Sequence, residues 1–267
     1  MKTSSIKLGF IGSYKIDLLI YLGMIFHHMG LKVLIMDISP KRYLNYYISG
    51  ISIDGITHLG GIDYCLNEMP EFLLVGYDIV LCDYGLSLKE LNGYIECDWH
   101  FLITDAQRHH IDPLRYQCRL IKERTNDDIK LVKIYRDLVP SKIDEDYLDY
   151  ILEVPMCFDV VASYTFSYSL DDYKLNLLNS YNEQVQFVGL SKQYLDFFQD
   201  VVEEICKDSP NKTHVANSRN NGKKTNKSGQ MMIRKLKNDT DQMTNIIQMN
   251  KRISKAISMA KKGGSIT

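Results

Sequence analysis

One glycine, one lysine and two aspartates hold the positions from which this 267-residue chain could do chemistry. Gly12 ends the apolar run Ile6–Ile11, and Lys15 follows three residues later, where a helix is expected to begin. A strand-to-helix turn of that kind can aim backbone N–H groups at an anion while the lysine neutralises its charge. Asp37 closes a second apolar run, Val33-Leu34-Ile35-Met36, and Asp83 closes a third, Ile79-Val80-Leu81-Cys82. Carboxylates at strand C-termini can hold a metal-bound water beside such an anion, at the crevice of a doubly wound sheet. Taken singly, Gly-x-x-Lys also fits a plain turn with a solvated lysine, and each aspartate fits a strand-end cap. Ile16 stands where a magnesium-binding hydroxyl would be needed, and Asp17 next to it has no fixed orientation in sequence.

These residues need strands and helices to place them. Strand-like runs recur at Ile6–Ile11, Val33–Asp37, Tyr77–Asp83, His100–Thr104, Ile129–Tyr135 and around Val154. Their lack of polar alternation predicts strands buried on both faces of a parallel sheet. Helices are expected over Tyr14–Met29, with Gly30 as the stop, and over Pro113–Arg124, Asp144–Leu152 and Ser191–Cys206. In the last, Tyr194, Phe197, Phe198, Val201, Val202 and Ile205 recur at helical spacing, with Ser191 as the N-cap. The pattern predicts an α/β domain over residues 1–206, a doubly wound, mostly parallel sheet flanked by helices of the P-loop NTPase-like kind.

The charge is unevenly spread. Residues 207–267 hold 14 Lys/Arg against 3 Asp/Glu, whereas residues 1–206 hold 18 against 30. Residues 207–235 read as a flexible basic linker, since almost nothing there is apolar enough to offset the entropy of ordering. Residues 236–263 read as an amphipathic C-terminal helix. Its stripe runs through Leu236, Asp239, Met243, Ile246, Asn250, Ile253, Ile257 and Ala260 in steps of three and four. An isolated helix of that length is marginal in water, so Met243, Ile246, Asn250, Ile253 and Ile257 are the residues expected to meet a partner. A basic arm suits a partner helix, an anionic membrane surface or DNA, in that order.

The six cysteines form no Cys-x-x-Cys pair and several lie in apolar runs, which predicts reduced core thiols and no zinc site. His27-His28 and His109-His110 lack a second ligand pair, so no metal site is expected. Tyr43, Tyr46 and Tyr47 could form an interaction patch at the crevice mouth. The chain has no apolar run long enough to span a membrane, and Leu8–Ile11 is too short for a signal-peptide core. A cytoplasmic protein, peripheral at the membrane if the arm binds lipid, is the expectation.

The order of loop, helix, glycine, strand ending in Asp, then strand ending in Asp and followed by Gly resembles the ParA/MinD branch of P-loop ATPases, over about residues 5–206. Setting Gly30–Asp37 against that family's G-K-x-V-L-L-I-D segment puts Lys15 on the Walker lysine and Gly12 on a loop glycine. Asp83 falls on the Walker-B aspartate. Looser likeness continues through Asp98–Thr104 and to Val154-Pro155, where the family has a strand ending in I-P. The departures are specific. Phe10 takes the place of the signature lysine that reaches across the dimer, Ile16 that of the magnesium-binding threonine, and Ser39 that of the water-positioning aspartate. The resemblance implies a homodimer formed through the face bearing Gly12 and Asp83. If nucleotide binding is retained, Gly12, Lys15, Asp37 and Asp83 would hold ATP; otherwise there is no cofactor. Loss of three hydrolytic functions implies a pseudo-ATPase with no catalytic residue. It would serve as a scaffold or localisation subunit of a bacterial secretion, pilus or partition assembly, like the atypical TadZ/CpaE-type members. The alternatives are an active ATP-dependent dimerising switch, and a DNA- or membrane-tethering protein acting through its basic tail.

Overall fold

Side chains of the central strands alternate between two separate cores, which is why those strands carry so few polar residues. The computed structural model describes residues 5–48, 50, 52, 55–86, 91–125, 129–182 and 185–208. In chain order these form β1 (Ile6–Gly12), α1 (Ile16–His28), β2 (Val33–Asp37), α2 (Leu44–Tyr47), β3 (Thr57–Leu59) and β4 (Ile62–Cys65). Then come α3 (Glu71–Leu74), β5 (Ile79–Gly85), α4 (Leu91–Ile95), β6 (Trp99–Thr104), α5 (Arg108–Arg124) and β7 (Ile129–Leu138). The remainder are α6 (Glu145–Leu152), α7 (Val154–Cys157), β8 (Phe158–Ser167), α8 (Leu170–Asn182) and α9 (Lys192–Asp208).

The sheet runs β3-β4-β2-β5-β1-β6-β7-β8. β3 and β4 pair antiparallel and every other pairing is parallel. From β1 the chain crosses past β5 to reach β2, and from β5 it crosses past β1 to reach β6. The connections therefore diverge at β1 and β5, and a crevice opens at their C-terminal ends. One core joins Leu8, Phe10, Ile35, Leu81, Phe101 and Ile103 to α1 and α9. The other joins Leu34, Met36, Val80, Cys82 and Leu102 to α4, α5 and α6. Helix α1 is buried nearly all round, as an apolar helix walled by sheet and α9 must be.

Several expectations are corrected. The run around Val154 is not a strand: Val154-Pro155 opens the one-turn helix α7, and the strand is β8, from Phe158. β8 is the sheet's edge, so its residues alternate between exposed and part-buried and lack the apolar signature used to find the others. The β3–β4 hairpin at the opposite side turns through Gly60 and Gly61 at positive φ; β3 is the exposed edge, and β4 is a four-residue strand between β3 and β2. Helix α5 begins at Arg108 and carries Pro113 inside it. Ser191 does not cap α9 with its side chain; its Oγ is buried without a hydrogen-bond partner. The cysteines are free, all buried except part-buried Cys206. The linker and the C-terminal stripe, including Met243, Ile246, Asn250, Ile253 and Ile257, lie outside the described residues. No described helix is long and apolar enough to cross a membrane.

His100 adds a pH dependence to this core. Its ring stacks edge-on to Tyr94 at 5.0 Å, and its Nε2 lies 3.3 Å from the Ile95 carbonyl. Burial holds its pKa below the ordinary value, so the unfolded chain binds the proton more readily. Its contribution to stability is therefore complete above the unfolded value of about 6.5 and is lost as pH falls through the lower folded value. Urea unfolding at pH 7 and pH 5 should show a loss of stability on acidification that is smaller in His100→Gln.

Candidate functional site

The crevice brings three of the four sequence-selected residues, Gly12, Lys15 and Asp83, to its wall, while Asp37 is buried behind it beside Asp83. Gly12, Ser13, Tyr14 and Lys15 line it from the loop after β1, Ser39, Pro40, Lys41 and Tyr43 from beyond β2, and Asp83, Gly85 and Leu86 from β5, with His110 opposite. The cavity is about 250 Å³, below the range of about 300–1,000 Å³ usual for small-molecule sites. Asp37 and Asp83 are register partners on neighbouring strands.

The loop is built from necessity at Gly12. Its φ of +117° is one that L side chains avoid, and a Cβ there would stand 1.8 Å from the Ile103 carbonyl oxygen. Ser13 N–H donates to that same carbonyl at 2.8 Å, so one amide of the turn is already committed to β6. The loop's carbonyls turn inward instead. Lys15 Nζ donates to Gly12 O at 3.3 Å and to Ser13 O at 3.1 Å, and pairs with Asp83 Oδ1 at 2.6 Å. Two hydrogen bonds to loop carbonyls and one ion pair to Asp83 therefore engage the ammonium from within the protein. Lys15 is 1% exposed and Asp83 equally sheltered, so the cation is turned in toward its own loop at the crevice wall.

Each remaining position has a structural occupation. Asp83 Oδ1 also accepts from Gly85 N–H at 2.7 Å. Gly85 takes φ +60°, and a Cβ on it would meet Ser39 Cβ at 2.7 Å, which accounts for the Asp-Tyr-Gly ending. Asp37 caps the turn into α2: Oδ1 accepts from Ser39 N–H and Oγ–H at 3.1 and 2.5 Å, and Oδ2 from Leu44 N–H at 2.9 Å. Burial, and next the charge of Asp83, push the Asp37 carboxyl above its usual range despite those hydrogen bonds. Ile16 is fully buried in the α1 core, and Phe10 stacks on Phe101 with centroids 4.5 Å apart.

Asp17, whose orientation sequence left open, points away from the crevice. Arg136 at the end of β7 grips it with two bonds of 2.8 Å, and Asn176 of α8 adds a third at 3.2 Å. The same guanidinium donates to Tyr14 O at 3.3 Å and to Tyr194 Oη at 2.8 Å. Arg136 thus ties the loop and α1 to β7 and α9, a role that nothing in its sequence neighbourhood marks. Tyr14 lies at the cavity wall, edge-on to Tyr43 at 5.4 Å. Of the tyrosine cluster, Tyr43 lines the cavity, Tyr46 faces solvent and Tyr47 is core. His110 reaches the crevice but its Nδ1 is bonded to Asp105 Oδ1 at 2.8 Å. Among the described residues no cluster of three or more His, Cys, Asp or Glu could hold a metal ion.

Mg·ATP does not fit these residues as arranged. A phosphate chain needs inward N–H groups and a lysine free to meet it, whereas the loop offers carbonyls to a lysine already neutralised by Asp83. A magnesium ion would find an isoleucine where it needs a hydroxyl, and carboxylates already engaged as caps.

The architecture is an α/β P-loop fold. No protein-family profile matches the chain, and no curated protein matches it. Solved structures do. A ParA family ATPase from Chlorobium tepidum TLS superposes with a TM-score of 0.52 at 15% identity, covering 73% of this chain and 98% of that one. The MinD cell division protein of Aquifex aeolicus gives 0.49 at 11% identity, over 74% of this chain and 97% of that one. pNOB8 ParA bound to nonspecific DNA gives 0.49 at 13% identity, over 76% and 100%. The first of these carries the assignment, and it is one of fold: the chain has the P-loop fold of a ParA family ATPase.

Proposed function

We propose that this protein is a non-catalytic ParA/MinD-like scaffold, a localisation subunit of a bacterial secretion, pilus or partition assembly. The observation that supports this most is the Lys15 ammonium, which is hydrogen-bonded to Gly12 O and Ser13 O of its own loop and ion-paired with Asp83 of β5. In a nucleotide switch the energy of that lysine is spent on the ligand's phosphates; here it is spent on the resting fold. Phe10, Ile16 and Ser39 have likewise passed into core packing or turn formation. A frame stable without nucleotide suits a constant platform better than a timer. Dimerisation through the Gly12/Asp83 face would then be independent of ATP. The basic arm, residues 207–267, supplies contact with a protein partner, and TadZ/CpaE-type proteins are the nearest functional analogue.

Two assays on the full chain and on residues 1–208 test this. Phosphate release from Mg·ATP should not exceed the buffer rate in either. Flotation on anionic liposomes and DNA gel shifts should be the same with and without the arm. Turnover abolished by Lys15→Ala would restore the ATPase reading. An arm-dependent shift in flotation or gel mobility would make the arm a lipid or DNA tether.

A further inference from the structure

Helix α8 is built inside out. Its inward positions carry Asp172, Leu175, Asn176 and Asn179, of which only Leu175 is apolar. The polar three take part in a buried network. Asp172 accepts from Ser191 N–H at 2.7 Å, and Asn176 accepts from Tyr21 Oη–H at 3.0 Å. Asn179 donates to Tyr21 Oη at 2.7 Å and accepts from Gln186 N–H at 3.1 Å. The outward positions carry Leu170, Tyr173, Leu177, Leu178 and Tyr181, which are 44–81% exposed. Residues 170, 173, 177 and 181 fall in steps of three, four and four, a single stripe about 17 Å long. α2 contacts α8, and its Tyr46 is exposed as well. Apolar residues scattered singly over a surface need no explanation; a continuous stripe on a helix whose buried face is polar marks a contact surface.

We propose that this stripe is the resting dock of the chain's own C-terminal segment, through Met243, Ile246, Asn250, Ile253 and Ile257. Those five recur in steps of three and four, and as a helix they would span about 21 Å, matching the α8 stripe. The 34 residues of 209–242, polar and unpatterned at their start, have a root-mean-square reach of roughly 30 Å as a flexible chain. That exceeds the length of α9, about 25 Å, from whose end they leave. Charge selects the arm over a second copy. α8 itself exposes one acid, Asp171, and one base, Lys174, but residues 1–206 hold 30 acidic against 18 basic residues, so a second copy would bring like charge to the contact. The arm sets Lys251, Arg252 and Lys255 among its apolar positions. An acidic body is also repelled by an anionic bilayer. Docked in this way, the arm is a clasp that a partner helix must displace. The inference rests on the arm of the proposed function being helix-forming, and not on the loss of ATP chemistry.

Hydrogen exchange on the full chain tests it. Residues 243–257 should exchange at least about tenfold more slowly than an unstructured chain. The double variant Leu177→Glu/Tyr181→Glu, altered only at exposed positions, should return them to the unstructured rate while β1 and β5 stay protected. Exchange at the unstructured rate in the parent chain, or protection that survives the double variant, overturns the dock. So does a variant that changes only the mass in light scattering, from dimer to monomer, which would make the stripe an interface between copies. Protection that appears only with phosphatidylglycerol/phosphatidylcholine vesicles overturns it in favour of lipid. None of these outcomes alters nucleotide titration, so failure here and failure of the scaffold reading remain distinguishable.

Discussion

Lys15→Ala lowers the unfolding free energy by about 3–5 kcal/mol, the cost of stranding one partner of a buried ion pair. Lys15 and Asp83 are both almost wholly buried and 2.6 Å apart, so the alanine variant leaves a buried carboxylate without its counter-charge. It also leaves the carbonyls of Gly12 and Ser13 without the donor that holds them inward. At about 2–4 °C per kcal/mol for a domain of this size, the midpoint of thermal unfolding should fall by roughly 6–20 °C. Lys15→Met/Asp83→Asn should recover part of the loss, since it removes the uncompensated charge. Urea unfolding of the two variants beside the parent measures both effects. A loss below about 1 kcal/mol for Lys15→Ala would mean that the ammonium is not committed to the fold.

Arg136→Ala should be comparably severe, about 3–5 kcal/mol, because it strands Asp17, which is fully buried on α1. The guanidinium's fork meets both Asp17 oxygens at 2.8 Å and spans to Tyr14 O and Tyr194 Oη as well. A lysine keeps the charge but cannot reproduce the fork, so Arg136→Lys should still cost about 1.5–3 kcal/mol. The two losses should not add. Lys15 and Asp17 flank the same residue, and loosening the loop at either end weakens the other hold. Comparing Lys15→Ala, Arg136→Ala and the double variant by urea unfolding gives the coupling directly. Simple additivity would show that the loop and the Arg136 strap are separate.

The site's residues were legible to the extent that they follow buried strands. β1, β2 and β5 announce themselves because both faces are apolar; Gly12 and Asp37 mark the ends of the first two, whereas β5 runs two residues past Asp83 to Gly85. What each residue does there was not legible. A lysine side chain can reach outward to an anion or fold back to an acid, and only the Asp37–Asp83 register and the Ile103 carbonyl decide which. Arg136 lies 119 positions from Asp17 and follows an ordinary apolar strand, so no local pattern links them. β8 and β3 escaped because edge strands lack the two-sided apolar signature, and β4 because its run, Ile62–Cys65, is only four residues long. α8 escaped because its polarity is reversed: the periodicity that finds helices assumes apolar residues inward, and here Asp172 and Asn179 are inside.

The central claim is that the loop's own lysine occupies the place of a ligand's counter-charge. Equilibrium titration of the full chain with a fluorescent ATP analogue, with and without magnesium, tests it most directly. The account expects no saturable binding up to about 1 mM, weaker than about −4 kcal/mol, and no effect of magnesium. Micromolar, magnesium-dependent binding that disappears in Lys15→Ala would contradict it.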